Sequence, residues 1–254
     1  VARQSRFHGV PHIKPCVPSA AADAGHTVMK TKTKLALFDL DHTLLPIDSD
    51  YSWGQFTITI GWTDPVEFAR RNDEFYAHYQ AGTLDVHDYV RFATEAARLR
   101  GPQQAQAARE RFMAEVIAPA IRPQALELVR SHQEAGDEVL IITATNEFVT
   151  RPIAERFGVD QLIAVELERD AAGWITGEIK GTPSFREGKV RRFQDWLASR
   201  DLAREQVQVT FYTDSTNDLP LMDNADHPVA TNPDDRLRAL ARERGWRILD
   251  LFKQ

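Results

Sequence analysis

Four aspartates crowd the stretch "LALFDLDHTLLPIDSD" (residues 35–50), at positions 39, 41, 48 and 50. Asp39 and Asp41 sit at the end of the apolar run from Leu35 to Leu40, where a buried strand is expected to stop. Like charges this close resist joint ionisation, and burying one without a partner costs on the order of several kcal/mol. A second acidic pair, Asp214 and Asp218, follows another apolar run in "FYTDSTNDLP". Thr143 closes the run "DEVLIIT", and Lys189 stands near the start of a helix in "FREGKV". Carboxylates without cysteine or histidine at metal-binding spacing select a hard cation with oxygen ligands, Mg2+ by default. Such an ion keeps waters and completes its shell with phosphate oxygens. A hydroxyl such as Thr143 and a cation such as Lys189 suit a phosphoryl group, one carboxylate can attack phosphorus, and a neighbouring carboxyl can move the proton.

That chemistry needs the strand ends to lie side by side. After the first strand, residues 51–135 read as helices, with Phe68, Phe75, Tyr76 and Tyr79, then Tyr89, Phe92, Ala96 and Leu99, at roughly helical spacing. These aromatics are read as packing. "GTLD" (82–85) marks a break and restart with Asp85 as N-cap. From residue 137 the period changes. Strands at "DEVLIIT", "LIAVEL", "VQVTFYT", "HPVAT" and "WRILDL" alternate with helices, and "ERDAAGWITGEI" suits a hairpin turning near Ala172 and Gly173. The alternation predicts an α/β fold with a doubly wound, mostly parallel sheet, and ligands bind outside the carboxyl ends of such strands. The expected organisation is a core of residues 34–46 and 131–254 with a helical cap, 47–130, inserted after the first strand.

Composition narrows the function classes. The chain has 254 residues, 43% hydrophobic and 27% charged, enough apolar material for a substantial core. A net charge of −6 with no long basic run argues against nucleic acid, and no apolar stretch is long enough to span a bilayer. A cytoplasmic protein is expected. Residues 1–33, with scattered prolines and histidines, read as a disordered tail, and Met29 reads as a native start. His8, His12 and Cys16 are spaced four apart, but Pro11 and Pro15 break the helix that would align them as ligands.

The segments "FDLDHTLL", "LIITAT", "EGKVRRF" and "FYTDSTNDLP" together resemble the four motifs of the haloacid dehalogenase superfamily, in its phosphoserine-phosphatase-like branch. The resemblance runs from about residue 34 to the C-terminus. It implies a HAD-like core, Asp39 as nucleophile, Asp41 as general acid and base, and Thr143 and Lys189 as holders of the phosphoryl group. It further implies Mg2+ on Asp39, Asp214 and the main-chain carbonyl of Asp41, with Asp218 in support and Asn217 near the phosphate. An acid at position 41 favours phosphate-ester hydrolysis over dehalogenation.

The substrate is expected to be a small phosphorylated metabolite. Phosphoserine phosphatases bind their amino acid with a glutamate, whose place here is Asp48 with Asp50 nearby, and with a cap arginine, whose place is Ala93 with Arg91 two residues away. An acidic cap without the arginine suits a phosphate ester bearing an amine but no carboxylate, which describes histidinol phosphate; the run "DSDYSWGQF" is also similar to a bacterial subgroup with that activity. Helix capping is the competing role for Asp48 and Asp50. Tyr51, Trp53 and Phe56 could stack on an imidazole or pack the cap onto the core, and His42 is expected to point away from the metal and pack. Phosphoserine hydrolysis, phosphoryl transfer to another alcohol, and a non-catalytic binding module on the same fold are the alternatives.

Overall fold

The first strand, β1 (Thr33–Phe38), is apolar on both sides because it is covered on both sides. Leu35 and Leu37 point into one core, and Ala36 and Phe38 into another. The structure is a computed structural model and describes residues 1, 32–81 and 83–253. Most of the expected tail, including Met29 and the His8, His12 and Cys16 set, lies outside the described residues.

Four helices follow β1: α1 (Ser49–Thr59), α2 (Pro65–Ala81), α3 (Val86–Arg100) and α4 (Pro102–Phe112). Asp85 does cap α3, accepting from the main-chain N–H groups of His87 and Asp88. A π-helical turn (Met113–Ile117) and the short α5 (Ala118–Ala120) lead to α6 (Pro123–Glu134). Residue 130, where the sequence reading closes the insert, falls inside α6, which packs along the next strand. That strand, β2 (Glu138–Asn146), is followed by α7 (Glu147–Arg156), β3 (Gln161–Val165), and the antiparallel hairpin β4 (Leu167–Arg169) and β5 (Ile175–Ile179). The run "LIAVEL" is therefore not one strand. It leaves the main sheet after Val165 and enters the hairpin at Leu167. Then come α8 (Glu187–Ala198), β6 (Val207–Thr213), α9 (Leu219–Met222), β7 (His227–Thr231), α10 (Asp235–Glu243) and β8 (Arg247–Leu249).

The main sheet has the order β3-β2-β1-β6-β7-β8 and is parallel throughout. The chain winds outward from β1 in one direction through β2 and β3, and in the other through β6, β7 and β8. The ends of β1, β2 and β6 therefore meet at the point where the winding reverses, the usual binding crevice of such sheets. Helices α8, α9 and α10 supply Phe193, Leu197, Leu221, Met222 and Leu237 to the core under Leu35 and Leu37. On the opposite face Phe38 stacks on Tyr212 at 4.6 Å, and α6 and α7 contribute Val129, Val149 and Ile153. Trp53 of α1 lies edge-on to Phe112 at 5.3 Å and to Phe148 of α7 at 5.6 Å, joining the inserted helices to the sheet side. Trp53 and Phe56 are buried as packing residues, whereas Tyr51 is 45% exposed. Among the described residues no helix is long and apolar enough to cross a membrane.

Because β1 is central and sandwiched, its side chains have no room to relax. Leu37→Ala is expected to lower stability by about 2–5 kcal/mol. In urea unfolding this is a lower midpoint at unchanged slope; a change below about 1 kcal/mol would contradict two-sided burial of the strand.

Candidate active site

The main-chain N–H of Asp39 extends the ladder of β1 by bonding the Tyr212 carbonyl at 2.9 Å. Beyond it the chain curls over the Leu40 carbonyl, which accepts from the N–H groups of Thr43, Leu44 and Leu45. This curl aims Asp39 and Asp41 past the sheet edge while keeping Asp39 only 7% exposed. His42 sits in it at φ 57° and is exposed, so it does not pack as expected. The left-handed backbone turns its side chain to solvent.

Lys189 is 2% exposed and donates to Asp39 Oδ1 and Asp218 Oδ2, each at 2.7 Å. Thr213 Oγ1 also donates to Asp218 Oδ2, at 2.7 Å. Burial works against a charged lysine, but Asp218 and Asp39 outweigh it and hold the ammonium above its ordinary pKa. The start of α8 is placed by a close approach. A Cβ on Gly188 would lie 2.0 Å from the Pro183 carbonyl oxygen, so a larger residue would displace the turn that carries Lys189.

Across the site, Thr43 Oγ1 lies 3.3 Å from Asp39 Oδ2 and 3.2 Å from Asp214 Oδ1, and accepts from the Asp214 N–H at 3.0 Å. One hydroxyl has one proton, so it satisfies only one of these carboxylates at a time. Burial, then the charges of Asp39 and Asp218, push Asp214 up to about 8. Asp41 has its own holders. Ser49 N–H donates to Oδ1 and Thr145 Oγ1 to Oδ2, both at 2.8 Å. Burial, then the charge of Asp48, raises it to about 8. Asp39 is also raised, by burial, with Lys189 opposing and Asp218 adding to the rise.

Thr143 is buried and its hydroxyl accepts from the Thr145 N–H at 3.1 Å, which leaves its own proton to donate. It lies where β2 shifts register, between Ile142 and Asn146, and so inside the strand rather than at its end. Asn217 is at the rim. Its amide nitrogen donates to the Tyr79 hydroxyl, and its oxygen accepts from Arg186 Nε at 3.3 Å. Asp48 is the N-cap of α1, its Oδ1 accepting from the N–H groups of Asp50 and Tyr51 at 2.9 Å. Asp50 is buried, accepts from Asn146 Nδ2 at 3.2 Å and from the Tyr89 hydroxyl, and is raised to about 7 by burial and then Asp48. Arg91 pairs with Asp88 and Glu178 on an exposed face, so it does not replace the arginine missing at Ala93.

The structure thus gathers Asp39, Asp214, Asp218 and Lys189 around Thr43, with Asp41 adjoining. Thr43, Ser49, Thr145, Asn146, Tyr79 and Arg186 also take part in holding the site; Thr43 follows the two aspartates at the same spacing, Tyr79 is read by its period as packing, and the close-set hydroxyls and amide of "TATN" at the end of β2 hint at Thr145 and Asn146. Among the described residues, no three carboxylate, imidazole or thiol side chains converge as a complete metal cage. The fit is instead to a hard cation that brings water and substrate oxygens: all donors are oxygen, and two carboxylates compete for one hydroxyl proton.

Residues 36–223 match the family model described as haloacid dehalogenase-like hydrolase. The chain is 44% identical to a histidinol-phosphatase of Neisseria meningitidis serogroup C (strain 8013) over 85% of its own length and 98% of that protein. It is 32% identical to the phosphoserine phosphatase SerB1 of Mycobacterium tuberculosis (strain ATCC 25618 / H37Rv), over 92% of this chain and 76% of the relative. A crystal structure of a protein of unknown function from Bordetella pertussis Tohama I superimposes with a TM-score of 0.82 at 47% identity, covering 87% of this chain and all of the other. With four acidic and basic motif positions meeting at the sheet's switch point and a family model spanning most of the chain, this protein belongs to the haloacid dehalogenase-like hydrolases.

Proposed function

We propose that the chain hydrolyses histidinol phosphate, with Mg2+, through a phosphoryl group carried transiently on Asp39. The chain is a phosphatase of the haloacid dehalogenase-like family. The observation that carries the reading is the division of labour between two neighbouring carboxylates. Asp39 is paired with Lys189 at 2.7 Å, whereas Asp41 has only neutral donors and is pushed to about 8. Burial raises both, so the difference lies in their partners: a carboxylate held by an ammonium suits the nucleophile, and one held by neutral donors can carry the proton.

Asp39 attacks phosphorus and the ester P–O bond breaks. Asp41 gives its proton to the departing alkoxide. Asp41, now ionised, takes a proton from water as the water oxygen attacks phosphorus, and the P–O bond to Asp39 breaks to release phosphate. Lys189 and Thr143 bind phosphoryl oxygens. Asp39, Asp214 and the main-chain carbonyl of Asp41 would hold Mg2+, with Asp218 fixed behind them through Lys189. The ion would offset phosphoryl charge during the displacement. Helices α1 to α4 act as a lid against bulk water, supported by the contact of Tyr79 in α2 with Asn217 beside the site. Histidinol phosphate is favoured by the name of the 44% identical relative and by the lack of a free arginine near Ala93 for a substrate carboxylate.

Phosphate release from histidinol phosphate and phosphoserine, each with Mg2+ and with chelator, tests the reading. Metal-dependent preference for histidinol phosphate is expected; preference for phosphoserine would replace the substrate while keeping the chemistry. Asp39→Asn is nearly isosteric and is expected to cut turnover at least about a thousandfold with the fold retained; substantial remaining activity would remove Asp39 as nucleophile. The raised carboxylates also set a linkage. Asp214 and Asp41 bind more protons folded than unfolded between about 4 and about 8, so the metal-free protein loses their contribution as pH rises through that window. Mg2+ must displace those protons, so its increment in melting temperature is expected to grow from about pH 6 to about pH 8.5. An increment independent of pH would show that these carboxylates do not hold the ion.

A further inference from the structure

Asp41 is held by two donors of different kinds. The Ser49 main-chain N–H reaches its Oδ1 and the Thr145 hydroxyl reaches its Oδ2, each at 2.8 Å. An N–H only donates, so Oδ1 is an acceptor whether Asp41 is protonated or ionised. A hydroxyl donates or accepts by turning about its C–O bond. Oδ2 is therefore the oxygen that can gain and lose a proton without opposing a fixed donor.

Thr145 has little freedom in this place. It is 8% exposed, and its main-chain N–H is bound to Thr143 Oγ1 at 3.1 Å. The next residue, Asn146, caps α7 by accepting from the Val149 N–H at 3.4 Å, and its carbonyl accepts from the Thr150 hydroxyl at 2.9 Å. Thr145 is thus fixed where β2 gives way to α7. From there it touches two groups at once: the hydroxyl that holds the phosphoryl group in the phosphatase reading, and the carboxyl that moves the proton.

We propose that Thr145 is a positioning residue for the acid step: its hydroxyl selects Asp41 Oδ2 as the atom that carries the proton, and stabilises that oxygen once the proton has gone. This rests on the phosphatase reading. Before the ester arrives, Thr145 Oγ1 accepts from the Oδ2–H group. As the ester P–O bond breaks, the Oδ2–H bond breaks too, and an electron pair of the leaving oxygen forms the new O–H bond. Oδ2 keeps the pair from its own bond and the negative charge. Thr145 then donates to it, and a hydrogen bond to a charged oxygen is stronger than one to a neutral oxygen. The contact gains strength as charge builds on Asp41, so it lowers the barrier only where the leaving group needs a proton.

The test compares two esters by kcat/KM, which covers the steps through departure of the alcohol and excludes hydrolysis of the phosphorylated enzyme. One is the alkyl ester cleaved faster of histidinol phosphate and phosphoserine, whose alkoxide needs a proton. The other is p-nitrophenyl phosphate, whose phenolate leaves without one. Thr145→Val keeps the shape of the side chain and is expected to lower kcat/KM about tenfold or more for the alkyl ester, and less than about threefold for the aryl ester. Thr145→Ser, which keeps the hydroxyl, is expected to bring the alkyl ester back to within about threefold of wild type. Equal losses on both esters, or no rescue by serine, overturn the assignment. If Thr145→Val does not fold, Thr145→Ala reads the same contrast, and equal losses there overturn it as well. Asp41→Asn separates this inference from the reading beneath it. A contrast between the esters in Asp41→Asn without one in Thr145→Val discards Thr145 alone, whereas no contrast in Asp41→Asn removes Asp41 as proton donor and the role of Thr145 with it.

Discussion

One lysine among four carboxylates is the constraint that the catalytic end of this sheet is built around. Lys189 is buried and bridges Asp39 and Asp218, while Asp41 and Asp214 are half-buried with no cation paired to them among the described residues. Each unpaired buried charge works against folding by an amount comparable with a sizeable part of a domain's net stability, about 5–15 kcal/mol. The carboxylates share donors as far as the local chain allows: Thr43 between Asp39 and Asp214, Lys189 and Thr213 on Asp218, Ser49 and Thr145 on Asp41. What remains is a deficit of positive charge facing the crevice. A cation placed there would relieve the deficit and offset the charge of a bound phosphoryl group. The cost is borne by a β1 strand packed on both faces, which is why the acidic loop follows the most deeply buried segment of the chain.

Much of this could be read from the sequence because strand ends are local events. Runs such as Leu35–Leu40 and Val207–Thr213 end where their strands end, and a carboxylate at the stop has a fixed place on a parallel sheet. Asp39, Asp41 and Asp214 were legible for that reason, and Lys189 by its place at the start of a helix in a motif-like run. Thr145 and Ser49 were not, since their value comes from the end of β2 and the start of α1, 104 and 8 residues from Asp41, meeting it in space. Aromatic spacing was ambiguous in another way. Phe68 and Phe92 are packing residues as their period implies, but Tyr79 and Tyr89 share that spacing and direct hydroxyls to Asn217 and Asp50. Periodicity reports which face of a helix is covered and says nothing about what a phenol at its edge meets. His42 failed for a backbone reason, a positive φ inside the turn that no pattern of side chains announces.

The first helix after β1 is part of the chemistry as well as part of the lid. Asp48 caps it, Ser49 holds Asp41 through its main chain, Asp50 accepts from Asn146, and Trp53 anchors it against Phe148 of α7. A displacement of α1 as a unit would therefore disturb the proton donor and the packing against α7 together. The same is true of the β2–α7 junction, where Thr145 and Asn146 hold Asp41 and Asp50 from the other side and Asn146 also caps α7. Helix α2 meets the site differently, through a phenol on the amide of Asn217, a contact that shares no residue with the donors to Asp41. The inserted helices thus divide by what they touch: the start of α1 holds Asp41 through its main chain, whereas α2 reaches the site through the Tyr79 hydroxyl.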